Sequence, residues 1–193
     1  MVFLQNNVFA ESSATTLARI QEKFQLIERA AEKLEITPKY LAAIIYTERT
    51  LNYDWTDETF DVIIAKRGLN SSIGFCQLKL KTAYFIERQF NEITSVFYPG
   101  KKFANLLQIS QIPQELIDKL VNDSSNILYA AAYLRMMQTR WEKAGFPIND
   151  RPDILGTLYS TGLFYNDGTE RQPNAHPKPN TFGIKVLESV KLF

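Results

Sequence analysis

The stretch Thr37-Pro38-Lys39-Tyr40-Leu41-Ala42-Ala43-Ile44-Ile45-Tyr46-Thr47-Glu48 constrains the fold more than any other part of the chain. Thr37 suits an N-cap, and Pro38 fits the first helical turn, where a missing N–H costs nothing. Leu41, Ile44, Ile45 and Glu48 recur at i, i+3, i+4 and i+7, so they share one helix face. An apolar face of this kind belongs in a core, yet this one ends on an ionisable group. Burial and the negative end of the helix dipole both disfavour a carboxylate there. The expectation is a Glu48 held protonated near neutral pH, the form a general acid needs. The plain alternative is a glutamate at a fraying C-terminus, swung into solvent or paired with Arg49.

Composition narrows the classes. The 193 residues are 45% apolar, enough for one domain with a full core. Lys and Arg together number 22 against 21 for Asp and Glu, so no charge excess points to nucleic acid or a membrane surface. The single Cys76 rules out an internal disulfide and cannot alone make a metal cluster. The single His176 lies in a Pro-rich segment, a poor source for a Ser–His or Cys–His dyad. No apolar run approaches the ~20 residues of a transmembrane helix. At the start, Val8-Phe9-Ala10 before Glu11 has the small-residue look of an export cleavage site, although residues 1–7 lack a basic flank. Residues 1–16 are therefore read as a tail or residual export segment and 17–193 as a single domain.

Along the chain, Leu17, Ile20, Phe24, Ile27, Ala31 and Leu34 alternate steps of three and four, which predicts one amphipathic helix. Residues 52–72 read as an irregular lobe with a small hairpin, and Asp54, Asp57, Glu58 and Asp61 as a solvated acidic cluster. Further helices are expected over residues 80–90, from Pro113, over 126–143 with Ser124 or Ser125 as cap, from Pro152 to Gly162, and near 182–192. Residues 164–180, rich in proline, read as loop.

Four pieces then stand in order: Glu48 at a helix end, Ser72-Ile73-Gly74-Phe75-Cys76-Gln77, Asn126-Ile127 with Tyr133-Leu134, and Tyr159-Ser160-Thr161-Gly162. This order resembles the lytic transglycosylases of the lysozyme-like superfamily, of the soluble-transglycosylase catalytic-domain type. There a helix-ending Glu is followed by a Gly-Leu-Met-Gln-like strand, an Asn-Ile…Tyr-Leu helix and a Tyr-Asn-x-Gly turn. The sequence departs from that pattern at Arg49 for Ser, Ser71-Ser72 for Gly-Ala, Cys76 for Met and Ser160 for Asn. The link from Glu48 to Gly74 is also longer than usual.

The resemblance implies a mainly α, lysozyme-like domain with a small β lobe, binding peptidoglycan glycan strands in a cleft between them. It implies a monomer working outside the cytoplasm, in the periplasm or as a secreted protein. Glu48 would protonate the glycosidic oxygen, and the muramic 2-acetamido group would assist departure. Glu48 would then act as base on the C6 hydroxyl, closing a 1,6-anhydro ring, a route that needs one protein carboxylate and no metal or cofactor. Ser72, Gly74, Phe75, Gln77, Tyr133 and Tyr159 become the substrate-binding residues. Each also has a plainer role. Ser72 bridges its loop, Gly74 permits a turn, Phe75 and Tyr133 fill core, Gln77 satisfies backbone, and Cys76 is a buried small hydrophobe. Tyr159 is expected to hydrogen-bond Glu48. Two alternatives stand beside this reading. One is a goose-type lysozyme, which hydrolyses the same bond with a second carboxylate. The other is a non-catalytic glycan-binding module on the same fold.

Overall fold

The computed structural model describes residues 12–52 and 72–193. In order, it contains α1 (Ser13–Glu22), α2 (Phe24–Leu34), α3 (Pro38–Asn52), β1 (Ser72–Ile73), β2 (Leu78–Lys79), α4 (Leu80–Asn91), α5 (Pro113–Val121), α6 (Asp123–Lys143), α7 (Pro152–Thr161) and α8 (Thr181–Ser189). Short 3-10 turns occupy Lys101–Phe103 and Val190–Leu192. The architecture is mainly α with a small two-stranded sheet, as the sequence leads one to expect. The acidic residues Asp54, Asp57, Glu58 and Asp61 lie outside the described residues.

The central element is α6. Its buried residues include Ile127, Ala130, Ala131, Tyr133, Leu134, Met137 and Trp141, spread round the whole helix. A helix apolar on every side belongs in the middle of a core. α2, α3, α4, α5, α7 and β2 all pack against it. The buried apolar residues form one cluster running from Ile20 to Val186.

Three expectations need correction. The stripe from Leu17 to Leu34 is two helices, broken at Lys23, whose φ of −98° and ψ of 6° leave the helical region. The break gives the two halves different neighbours, since α1 packs on α3 whereas α2 also reaches α6. Lys23 is held there by the Asp123 carboxylate, and its ammonium lies 5.5 Å from the Phe75 ring centroid. Second, residues 13–16, read as part of a tail, form the first turn of α1 under a Ser12 cap, and Thr16 is buried. Third, α6 starts earlier than read. Asn122, not a serine, is its cap, accepting the Ser125 N–H at 3.0 Å.

The remaining elements follow their signals. Pro113 and Pro152 open α5 and α7 at the first turn. Asn180 caps α8 through the Gly183 N–H at 2.8 Å. α7 and α8 lie so close that a Cβ on Gly183 would meet the Asp153 carbonyl oxygen at 2.1 Å. Among the described residues, no helix is long and apolar enough to cross a membrane.

Candidate active site

The site is built on a four-residue turn. β1 and β2 pair antiparallel, Ser72 with Lys79 and Ile73 with Leu78, so residues 74–77 connect them. The turn needs two left-handed residues, and it takes them at Gly74 (φ 72°) and Gln77 (φ 54°). Only glycine fits at the first, because a Cβ there would lie 2.3 Å from the Leu120 carbonyl oxygen and 2.5 Å from Asn126 Nδ2. Gln77 closes the turn on itself, its backbone N–H and its Nε2 reaching the Gly74 carbonyl at 3.1 and 3.0 Å.

Three helices hold this turn from outside. From α6, Asn126 accepts the Cys76 N–H on Oδ1 at 2.7 Å and donates from Nδ2 to the Ile73 and Leu120 carbonyls at 3.0 and 2.8 Å. From α3, Arg49 donates Nε to the Phe75 carbonyl at 2.9 Å and Nη2 to the Gly74 carbonyl at 3.0 Å. From α7, the Tyr159 hydroxyl donates to the Cys76 carbonyl at 2.6 Å. The carbonyls of four successive residues, Ile73 to Cys76, thus each accept from a side chain. Arg49 is only 1% exposed, and its guanidinium also sits 5.8 Å from the Phe75 ring centroid. The bonds from Nε and Nη2 offset part of the cost of burying this charge.

The turn forms one wall of a cleft of about 210 Å3. Glu48 lines it from α3, with Ser72, Gln77, Leu78 and Lys79 from the hairpin and Thr82 from α4. Tyr133 of α6 and Tyr159, Ser160, Thr161 and Gly162 of α7 and its end complete it. Glu48 is half-buried, one turn before the end of α3, because the helix continues to Asn52 beyond the expected stop. Leu41, Ile44 and Ile45 on its face are fully buried, as their spacing predicts.

Burial pushes the Tyr159 hydroxyl well above the usual tyrosine range. The negative forms of Cys76 and Glu48 add to this, and Arg49 opposes it. Tyr133 is raised chiefly by burial, with the Leu163 N–H donating to its oxygen as the opposing influence. The two rings lie 5.9 Å apart at 55°. Burial also raises the Cys76 thiol, so it stays protonated.

Of the residues singled out from sequence, the structure gathers Glu48, Ser72, Gln77, Tyr133 and Tyr159 round one space. Gly74 and Phe75 are not among the lining residues. Gly74 is pressed against α6, and Phe75 is buried between Arg49 and Lys23, which makes it packing and not a sugar platform. The Tyr159 proton goes to the Cys76 carbonyl, so toward Glu48 the phenol oxygen can only accept.

Sequence reasoning missed Lys79 and Thr82 in the wall and the clamp made by Arg49. The signal for Arg49 was present, since Ala42, Ile45 and Arg49 share a face at i, i+3 and i+7. Among the described residues the most buried acid is not Glu48 but Glu87, which takes the Tyr129 hydroxyl, the Ser110 N–H and Oγ at 2.8 Å and Lys119 Nζ at 3.2 Å. Glu87 is outside the cleft lining and fastens α4 to α5, α6 and the segment between α4 and α5. No protein-family model matches this sequence, and no curated protein is significantly similar to it.

Proposed function

We propose that the chain is a peptidoglycan lytic transglycosylase, cutting the β-1,4 bond between N-acetylmuramic acid and N-acetylglucosamine. The observation that carries this reading is the placement of Glu48. It stands at the end of an apolar helix face, half-buried, in a polar cleft walled by a rigidly held hairpin and the Tyr159 helix.

In this reading protonated Glu48 gives its proton to the glycosidic oxygen as the bond to muramic C1 breaks. The oxygen of the muramic 2-acetamido group bonds C1 in its place. Glu48, now a carboxylate, takes the proton of the C6 hydroxyl, whose oxygen attacks C1 and displaces the acetamido oxygen. The products are a 1,6-anhydro-muramic end and a strand with a free hydroxyl, and the acid is again protonated. Tyr159 supports the first step. Its hydroxyl donates to the Cys76 carbonyl, so a hydrogen bond between its oxygen and Glu48 would need the protonated acid as donor. Gln77 and Ser72 offer polar groups for the acetamido and hydroxyl substituents. A substrate of this kind places the work outside the cytoplasmic membrane.

Mass spectrometry of the products from purified peptidoglycan tests the reading. Anhydro-muramic ends are expected, and Glu48→Gln should abolish them while the protein stays folded and still binds glycan. Reducing ends would mean hydrolysis with a second acid. Asp54, Asp57 and Asp61 are candidates, and they lie outside the described residues. No product from the wild type would leave a glycan-binding module.

A further inference from the structure

The cleft has two walls that rest on different helices. The acid wall is α3, which packs chiefly on α8, α1 and α2, whereas the strands of the hairpin pack on α4, α5 and α6. Glu48 lines the space from the first wall, and Ser72, Gln77, Leu78 and Lys79 line it from the second. A strand of sugars seated against the hairpin is cut only where the Glu48 carboxyl meets the glycosidic oxygen. The offset between the walls therefore decides proton transfer. Along the chain the two walls are far apart, since Gly74 follows Arg49 by 25 positions.

Of the three side chains that clamp the turn, Asn126 comes from α6 and Tyr159 from α7. Arg49 comes from the acid's own helix, one residue beyond Glu48. Successive helix residues point about 100° apart, so Glu48 can face the cleft while Arg49 reaches the hairpin. Arg49 is not among the lining residues. Its Nε and Nη2 take two successive carbonyls, those of Phe75 and Gly74. A planar fork on two carbonyls fixes orientation as well as distance, which a single ammonium cannot do. The Gly74 carbonyl is also the one on which Gln77 closes, through its N–H and its Nε2. Arg49 and Gln77 thus meet at one oxygen, which links the acid's helix to the amide of the facing wall. The departure from the resembling family at this position, Arg49 for Ser, acquires a role.

We propose that Arg49 is a positioning residue, setting the offset of Glu48 from the hairpin wall through the Gly74 and Phe75 carbonyls. The inference rests on the transglycosylase reading and adds a residue to it. With the tie gone, the sugars keep their hairpin contacts but the acid is misplaced, so kcat falls while KM holds.

The test measures kcat and KM of the full chain for the formation of anhydro-muramic ends, with circular dichroism melts alongside. Arg49→Met removes the fork and the charge but keeps much of the volume, a replacement that buried charges often tolerate without loss of stability. Arg49→Lys keeps the charge and loses the fork. Both variants should lose about 10- to 100-fold in kcat, the scale of an acid misplaced by about 1 Å, with KM within about threefold of wild type. If the methionine variant does not fold, the lysine variant alone decides. Ser110→Ala is the control for stability, because it removes a buried bond to Glu87 outside the cleft. It should lower Tm and keep wild-type kcat. A folded Arg49 variant with wild-type kcat, a loss carried by KM, or a kcat that falls with Tm in Ser110→Ala as well would overturn the inference and leave the transglycosylase reading standing. If the wild type forms no anhydro ends, that reading fails, and this inference with it.

Discussion

Replacing Asn126 by Ala measures how far the site depends on one amide. In the native fold that side chain is fully buried and makes three hydrogen bonds, to the Cys76 N–H and to the Ile73 and Leu120 carbonyls. Truncation leaves the Cys76 donor without its partner, which costs about 1–3 kcal/mol for a buried group. The two carbonyls each lose a donor, at about 1 kcal/mol apiece. A loss of about 3–5 kcal/mol is expected, a large part of the ~5–15 kcal/mol that holds an ordinary domain. For a chain of this size each kcal/mol moves Tm by about 2–4 °C, so thermal unfolding followed by circular dichroism should shift down by about 6–20 °C. Asn126→Asp separates hydrogen bonding from packing. The introduced carboxyl keeps an acceptor for Cys76 but aims a second oxygen at two carbonyls, so the fold favours its protonated form. Its pKa is then raised above the unfolded value of about 3.9. The variant should approach wild-type stability below that pH and lose it as pH rises toward the folded pKa. A Tm change under about 3 °C for the alanine variant, or an aspartate variant whose deficit is flat from pH 4 to 7, would refute this account of the turn.

Three further outcomes are expected. Tyr159→Phe removes the donor to the Cys76 carbonyl and should cost about 1 kcal/mol of stability while slowing turnover without abolishing it. Unchanged turnover in a kinetic assay would remove Tyr159 from the site. Gly74→Ala forces a methyl against the Leu120 carbonyl in a left-handed residue, so denaturant titration should show a loss of at least about 2 kcal/mol. Asp153 is pushed up by burial, but the two Arg151 hydrogen bonds at 2.8 and 2.9 Å, the Arg151 charge and backbone N–H groups outweigh this and hold it below the usual carboxylate range. Stability from that depressed pKa is present above the unfolded value of about 3.9 and is lost as pH falls through the folded one. Arg151→Gln should therefore move acid unfolding to higher pH, and an unmoved midpoint would count against the pairing.

Much of this architecture is legible without coordinates because its signals are local. Pro113 and Pro152 at helix starts and the Leu41-Ile44-Ile45 face depend on residues within a turn or two of one another. The ordered pieces around Glu48 also led to a real cleft, since Ser72, Gln77, Tyr133 and Tyr159 do converge there. What the sequence hides is contact across the chain. Lys23 breaks a helix whose own period is unbroken, because Asp123 and Phe75 wait for its side chain 100 and 52 positions away. Phe75 reads as either platform or core until Arg49 is found beneath the hairpin. Arg49 itself reads as a surface partner for Glu48 until its donors are traced to residues 25 and 26 positions on.

The position of Cys76 gives the molecule a built-in reporter. As the chain's one sulfhydryl, wholly enclosed and kept protonated, it is closed to thiol reagents while its strand connection is intact. Its N–H and C=O are tied to different helices, α6 and α7, so the sulfur is uncovered when those ties let go. Labelling kinetics at this single atom therefore read the opening of this wall of the cleft, and no engineered probe is needed. A ligand that braces that wall would slow the labelling in proportion to its occupancy.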